Sequence, residues 1–187
     1  RTHLLPGLLI TAARNIGRGA SDVGIFEIGT IFRKKEALHP QPAYTTGKRP
    51  SPTEINSIYA SVPEQPLMVA GVICGNIEPS GWASQGRTAD WNDALDYVRS
   101  VISATGNEHS IAPSDFAPWH PGRCAEISIA GLAVAHAGEL HPRVCTSLGI
   151  PARSVAFAIM LSAVPFAPNT QSPQLRTMPA AVQDVAL

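Results

Sequence analysis

The residues best suited to chemistry are six histidines and three cysteines, whose side chains bind metals, transfer protons or attack electrophiles. The densest group is His136, Glu139 and His141. Zinc sites use Cys and His ligands in tighter paired spacings, and no such pair occurs here. The sequence therefore predicts no metal site. It predicts instead that these three residues cap or hydrogen-bond the turn into the helix that follows.

Nucleophilic catalysis and phosphate binding have no signature in this sequence. No serine lies in a Gly-x-Ser-x-Gly turn, and neither common glycine-rich phosphate loop occurs. Cys124 lies in an apolar alternating pattern that is typical of a core cysteine. Arg33, Lys34 and Lys35 follow a predicted strand, which is more typical of a solvated strand end than of a phosphate site. The sequence thus predicts no catalytic and no cofactor-binding residue.

The most distinctive string is Trp119-His120-Pro121-Gly122-Arg123. Proline fixes one dihedral angle of a turn and glycine adopts the positive one, while the tryptophan can anchor the turn to the core. Arg123 can pair with a nearby carboxylate, either Glu139 or Glu126. A structural turn is the favoured interpretation, and a ligand-binding module with its ligand near Trp119 and Arg123 is the alternative.

Composition narrows the classes of function. The chain has 187 residues and a formal net charge of zero, which argues against an extensive electrostatic contact with nucleic acid. No apolar run reaches the roughly 20 residues that cross a membrane. Cys74, Cys124 and Cys145 are far apart in apolar stretches, which indicates reduced core cysteines and a cytoplasmic location. The absence of an initial Met and the apolar last residues suggest a piece of something longer.

Hydrophobic spacing predicts the elements that position these residues. The strand at 24–32 is apolar on both faces, which predicts a central place in a sheet. Strands and helices do not alternate regularly, so the fold class is α+β, with a mainly antiparallel sheet flanked by helices. The other predicted elements are a helix from Pro6 to Gly17 or Gly19, a strand at 67–74, a helix capped by Thr88 that buries Trp91, Leu95, Val98 and Ile102, a hairpin turning at Ala130-Gly131, a helix at 142–148, a strand at 155–161 and a final strand.

Residues 34–65 form a Pro-rich insertion, which is long for a loop without structure of its own. Ser51-Pro52-Thr53-Glu54 matches a capping box, in which the serine hydroxyl and the glutamate carboxylate each satisfy a free backbone N–H. The insertion therefore contains one short predicted helix.

Five strings, in order along the chain, resemble the β subunit family of bacterial phenylalanyl-tRNA synthetases. They are residues 1–9 (RTHLLPGLL), 25–32 (IFEIGTIF), 119–125 (WHPGRCA), 138–144 (GELHPRV) and 178–187 (MPAAVQDVAL). Each string is weakly specific alone, but five in the family's order cover almost the whole chain. One departure is Gln183, which stands where the family has Arg and bears on the join to the next domain.

The resemblance implies that residues 1–187 are a single-domain fragment, the class II synthetase-like core near the C-terminal part of the β subunit. Residues 178–187 would then lead toward an anticodon-binding domain. The family motif residues present here would be structural, and they are Trp119, His120, Pro121, Gly122, Arg123, Glu139 and His141.

The resemblance also implies a function. The fragment would be a non-catalytic scaffold for the catalytic α subunit in an (αβ)2 heterotetramer, with tRNA bound through other domains. The whole enzyme would attach phenylalanine to its tRNA with ATP and magnesium, neither of which this fragment is expected to bind.

Two departures from the catalytic family pattern imply that this core has no active site. Motif 2 of active cores ends a strand with Arg followed by an acid, whereas Arg33 is followed by two lysines and only then by Glu36. Motif 3 needs a Gly-rich strand that leads to an Arg, and residues 156–161 contain neither. Without these cations the charge of reacting phosphates would stay uncompensated. A competent amino-acid ligase is the rival that a motif 3 Arg would have favoured.

Overall fold

A computed structural model describes residues 1–35, 43, 47–166, 178 and 183–185. The predicted final strand and most of residues 178–187 lie outside the described residues. The helices are α1 (Leu5–Gly17), α2 (Pro52–Ser61), α3 (Trp91–Ala104) and α4 (Pro142–Leu148), with a 3-10 helix at Leu161–Ala163. The strands are β1 (Val23–Thr30), β2 (Leu67–Cys74), β3 (Asn76–Glu78), β4 (Arg87–Thr88), β5 (Ser110–Ser114), β6 (Trp119–Ile129), β7 (Leu132–Leu140) and β8 (Val155–Ile159).

Six strands form one sheet in the order β1-β2-β8-β7-β6-β5, and β3 pairs with β4 separately. All neighbouring strands run antiparallel, which confirms the predicted α+β class with a mainly antiparallel sheet. The β6–β7 hairpin turns at Ala130 and Gly131, with φ angles of 50° and 79°. Two positive φ values match the right-handed twist of the flanking strands, so the predicted hairpin is confirmed.

Helices cover the two faces of the sheet. Alternate residues of a strand point to opposite faces, and alternate residues of β2 and β8 contribute to two separate cores. One face is covered by α1, which contacts β1, β2 and α4, and the other by α3, which contacts β6, β7 and β8. The strand β8 lies between these layers and is buried from Val155 to Ile159.

The start of α3 lies two residues later than predicted. Its N-cap is Asp90, whose carboxylate accepts a hydrogen bond from the Asn92 N–H at 2.8 Å. Thr88, the predicted cap, lies in β4, and its hydroxyl contacts the Asn76 side-chain oxygen at 3.0 Å. Trp91 is 41% exposed, in contrast to the predicted burial, because the helix starts at the rim of the sheet beside β5. The sequence alone could not decide between Thr88 and Asp90, since Thr and Asp are both common N-cap residues.

The place of β1 in the sheet differs from the prediction of a central strand. Among the described residues β1 pairs with β2 alone, so it is an edge strand. Phe26 is 71% exposed and Ile28 is 58% exposed, on the face that α1 does not cover. Apolar residues on both faces of a strand normally indicate burial on both faces, which is why the sequence suggested a central position.

The insertion contains the short helix that its capping box predicts. The Ser51 hydroxyl accepts from the Glu54 N–H at 3.3 Å, and the Ser51 N–H donates to Glu54 Oε2 at 2.7 Å. Within the described ranges, no helix is both long enough and apolar enough to span a bilayer.

Candidate functional site

Residues 119–123 form the first part of β6, next to the end of β7. Trp119 is the buried residue of this group. Its indole Nε1–H donates to the Ala156 carbonyl of β8 at 2.8 Å. A buried indole needs such an acceptor, because an unpaired N–H in the core is costly. The side chain therefore links the start of β6 to the central strand of the sheet.

The predicted Pro121-Gly122 turn is replaced by an irregularity within β6. The register against β7 shifts between Trp119 and Cys124, and Gly122 has a φ of +85°. A G1 β-bulge and a type II turn both place a glycine at positive φ, so the same residue types suggest either one. Opposite the bulge, Gly138 leaves no room for a side chain, since a Cβ there would meet the backbone of residues 123 and 124.

A buried carboxylate joins three parts of the fold. The Glu139 side chain is 4% exposed, and its Oε1 accepts from Arg123 Nη1 at 2.7 Å. Its Oε2 lies 3.5 Å from Arg153 Nε, which comes from the loop after α4. The sequence analysis named Arg123 and Glu139 as a potential ion pair. It did not include Arg153, because no pattern in the neighbouring residues indicates this contact. The two arginines compensate the negative charge of the buried carboxylate and link β6, β7 and the loop after α4.

The two halves of the alternative ligand site do not share a cavity. Arg123 lines a small cavity of about 230 Å3 beside Trp91 and β5, whereas Trp119 is buried with its indole N–H already bonded. This separation argues against a ligand held jointly by Trp119 and Arg123.

His141 caps α4, with Nδ1 accepting from the Arg143 N–H at 3.1 Å. Its ring lies 6.2 Å from that of His120, whose buried Nδ1 makes no hydrogen bond to any described residue. The stacked imidazoles of His120 and His141 could supply only two ligands to a metal ion. In the portion of the chain that the structure covers, no cluster of three or more His, Cys, Asp or Glu side chains could hold a metal ion.

His136 faces a different environment from Glu139 and His141. Its ring stacks on that of Phe116 at 4.3 Å, and its Nε2 lies 3.4 Å from Glu126 Oε2. Burial lowers the pKa of His136, and the neighbouring Glu126 carboxylate opposes this shift. The sequence cluster of His136, Glu139 and His141 therefore separates in space into three structural contacts.

The three cysteines are free and buried, as predicted for reduced core residues. Burial raises the pKa of Cys124 to about 11 and raises the pKa values of Cys74 and Cys145 as well. A nucleophilic cysteine needs a lowered pKa and solvent access. None of the three has either property.

The basic run after β1 is held by structural contacts. The backbone of Arg33 exchanges hydrogen bonds with Glu64, at 2.9 and 3.1 Å. Lys35 Nζ contacts the Tyr59 and Ala60 carbonyls at 3.4 and 3.3 Å, at the C-terminal end of α2. A cation there is favoured by the free carbonyls and by the helix dipole.

An apolar groove lies between α3 and the edge strand, and we term it the β1–α3 groove. Its volume is about 430 Å3, and none of the described residues that line it carries a charge. Tyr97 of α3 stacks on Phe157 of β8 with ring centroids 5.6 Å apart, which fixes one wall. The groove is lined by Gly24, Ile25, Phe26, Ile28, Val69, Ile73, Tyr97, Val101 and Phe157.

Comparison with known families decides the affiliation of this fold. Residues 1–161 match the model of the phenylalanyl tRNA synthetase beta chain CLM domain. The chain belongs to this family.

Curated relatives agree with the family match. The phenylalanine–tRNA ligase beta subunits of Streptomyces avermitilis, Thermobifida fusca and Corynebacterium efficiens are 40%, 39% and 40% identical to the chain. Each alignment covers 100% of the chain but only 23%, 23% and 22% of the relative. The chain thus spans less than a quarter of these relatives.

The fold is shared with a solved synthetase. The structure of Desulfitobacterium hafniense PylSc, a pyrrolysyl tRNA synthetase, aligns with a TM-score of 0.54 over 86% of the chain and 47% of that protein. Sequence identity is 18%, so the likeness concerns the fold alone.

Trp119, Arg123, Glu139 and His141 of this CLM domain make structural contacts among the described residues. Glu139 is paired with two arginines, the three cysteines are free and buried, and His141 caps α4. Among the described residues, the β1–α3 groove is a surface feature to which these contacts assign no structural role.

Proposed function

We propose that the chain is the class II synthetase-like core near the C-terminal part of a phenylalanine–tRNA ligase β subunit, and that it is a scaffold without an active site. The observation that carries this proposal is the burial of β8 throughout, at the place that the family resemblance aligns with motif 3 of active cores. Side chains buried between two layers cannot reach a nucleotide.

The electrostatics support the same conclusion. Catalysis of adenylate formation requires cations at the phosphates, since electrostatic stabilisation is usually the largest catalytic contribution. The corresponding stretch of β8 carries Ala156, Phe157, Ala158 and Ile159. At the other motif, Lys35 is bound to the end of α2. These residues fit neither ATP nor magnesium, so both are assigned to the α subunit.

The remaining parts of the proposal concern the whole enzyme. The scaffold supports the α core in a cytoplasmic (αβ)2 heterotetramer that attaches phenylalanine to its tRNA with ATP. Contacts with tRNA are assigned to other domains, because this chain has a net charge of zero and no strong basic surface is expected from it. A sheet with α1 on one face, α3 over β6, β7 and β8 on the other, and the Glu139 ion pairs between its parts is suited to act as a rigid support.

Active-site titration tests the proposal. The α subunit is combined with the full-length β subunit that contains this chain, and phenylalanine is added with labelled ATP but no tRNA. We expect one phenylalanyl adenylate for each αβ pair, and no stable adenylate from α alone. Two adenylates for each pair would show that this core is a competent ligase. Full activity of α without β would refute the scaffold role.

A further inference from the structure

We propose that the hairpin formed by β3 and β4 is a docking arm, which inserts Trp82 into an apolar pocket in the part of the β subunit that lies outside this chain. We term residues 76–88 the Trp82 hairpin. The inference goes beyond the proposed function, because it rests on membership in the family and not on the absence of an active site.

Trp82 is not buried against any of the described residues. Its exposed fraction is 101%, whereas the core residue Trp119 is 2% exposed. The Gly81 N–H donates to the Ser84 carbonyl at 2.9 Å, so Trp82 and Ala83 occupy the two central positions of the turn at the tip. Such positions favour Gly, Pro, Asn, Asp and Ser for conformational reasons, which do not apply to tryptophan. Neither the turn nor the core of this domain therefore accounts for the residue.

The base of the Trp82 hairpin is fixed to the rest of the fold. Arg87 of β4 pairs with Glu78 of β3 at 3.2 Å and with Asp93 of α3 at 2.7 Å. Gly86 has a φ of +76°, and a Cβ there would lie 2.7 Å from the Glu78 carbonyl oxygen, so the two arms of the hairpin are in close contact. A side chain on a rigid support loses less entropy when it binds. The hairpin therefore presents the indole before a partner is bound.

The composition of the tip favours a protein partner over RNA. Residues 79–86 carry no charge, and residues 79–85 are all exposed. The centres of protein interfaces are depleted in charge, and tryptophan is enriched among the residues that contribute most to binding. Surfaces that stack on unpaired bases combine aromatic side chains with Lys and Arg. Arg87, the nearest cation along the chain, is already paired with two carboxylates, so the tip fits an apolar pocket with an acceptor for the indole N–H.

The small size of the contact selects the rest of the same subunit as the occupant. A tryptophan buries roughly 150–250 Å2, whereas a stable interface between separate proteins buries about 1,200–2,000 Å2. A contact this small holds when the two surfaces belong to one polypeptide, because the covalent connection gives an effective concentration of about millimolar order. More than three quarters of each curated relative lies outside the region aligned with this chain, which leaves ample polypeptide to supply the pocket.

Site-specific photocrosslinking in the full-length β subunit identifies the occupant. Trp82 is replaced with p-benzoylphenylalanine, the subunit is irradiated alone, with α, and with α and tRNA, and crosslinked peptides are identified by mass spectrometry. In all three samples we expect a crosslink within one β chain, to a peptide outside the region aligned with this chain. A crosslink to α, to tRNA, to a second β copy or to this domain itself, or none at all, would overturn the proposal. The matched control places the same group at Leu132, which is 59% exposed, and should not label that peptide.

Removal of the indole provides the quantitative test. Trp82→Ala should leave the fold of this domain intact, because the side chain is not buried against its described residues. In the full-length β subunit, limited proteolysis should cleave the connections between this domain and its neighbours at least about tenfold faster in Trp82→Ala than in wild type. Leu132→Ala, at another exposed turn, should be cleaved at the wild-type rate. Equal cleavage rates for the two variants would contradict the docking role.

Discussion

Replacing Asp93 with Asn should destabilise the fold through one buried ion pair. Arg87 donates two hydrogen bonds to the Asp93 carboxylate, at 2.7 and 2.9 Å, and the Asp93 side chain is 10% exposed. The same carboxylate accepts the Asp90 N–H at 2.7 Å and so completes the N-terminal cap of α3. The variant keeps the shape of the side chain but removes its charge and one acceptor.

The magnitude follows from these contacts. A hydrogen bond to a charged group contributes about 1.5–3 kcal/mol, but Arg87 is 44% exposed, so the lower end applies. One bond is lost outright and the others lose their charge assistance, which together gives a decrease of about 2–3 kcal/mol in the free energy of unfolding. For a protein of this size that corresponds to a decrease in Tm of roughly 4–12 °C. Urea and thermal unfolding measure both quantities.

The effect should depend on pH in one direction. Hydrogen bonding to Arg87 is the main cause that lowers the pKa of Asp93 below its ordinary value of 3.8. The unfolded chain therefore binds this proton at higher pH than the folded chain does. The stabilisation is fully present above about pH 5 and is lost as the pH falls through the folded pKa. The difference between wild type and variant should shrink on acidification.

Asp96 supplies the matched control on the same helix. It pairs with Arg99 at 2.9 Å, but its side chain is 64% exposed. Asp96→Asn should decrease the free energy of unfolding by no more than about 0.5 kcal/mol. Equal losses for Asp93→Asn and Asp96→Asn, or a difference that persists unchanged to low pH, would refute the reasoning.

Three further substitutions test the packing of the sheet by urea unfolding. Gly71→Ala should decrease the free energy of unfolding by about 1–3 kcal/mol, because the new methyl group overlaps the Phe157 ring. Gly24→Ala, with nothing within 4 Å of its Cβ, should change it by less than about 0.5 kcal/mol, and equal effects would contradict the packing argument. Trp119→Phe should lower it by about 2 kcal/mol, because the buried Ala156 carbonyl loses the indole donor at 2.8 Å, and an unchanged value would show that this bond contributes nothing.

Local signals explain why much of the secondary structure could be predicted from the sequence. The prediction of α4 at 142–148 is confirmed at both ends, because Pro142 suits the first helical position and Gly149 adopts a φ of +65° after the last. The Ala130-Gly131 turn is likewise determined by the two residues that form it. These features depend on residues next to one another in the chain.

Contacts between residues far apart in the chain could not be predicted from the sequence. The pairing of β2 with β8 joins residues that are far apart in the chain, so its place in the sheet has no local signature. Arg153 joins Glu139 from a loop that hydrophobic periodicity does not describe. The Arg123–Glu139 pair could be named in advance because both residues lie in adjoining strands, whereas its second arginine could not.

The prediction that β1 is a central strand was wrong for a physical reason. Apolar residues on both faces indicate that a strand is buried on both faces, yet the described residues cover only the face toward α1. A sequence reflects the burial of each side chain in the assembled protein rather than in one isolated domain. Phe26 and Ile28 are 71% and 58% exposed, so the described residues do not bury the apolar pattern of this edge strand. An exposed apolar edge strand favours aggregation, so the isolated chain should self-associate in sedimentation experiments, and Ile28→Lys should reduce this self-association.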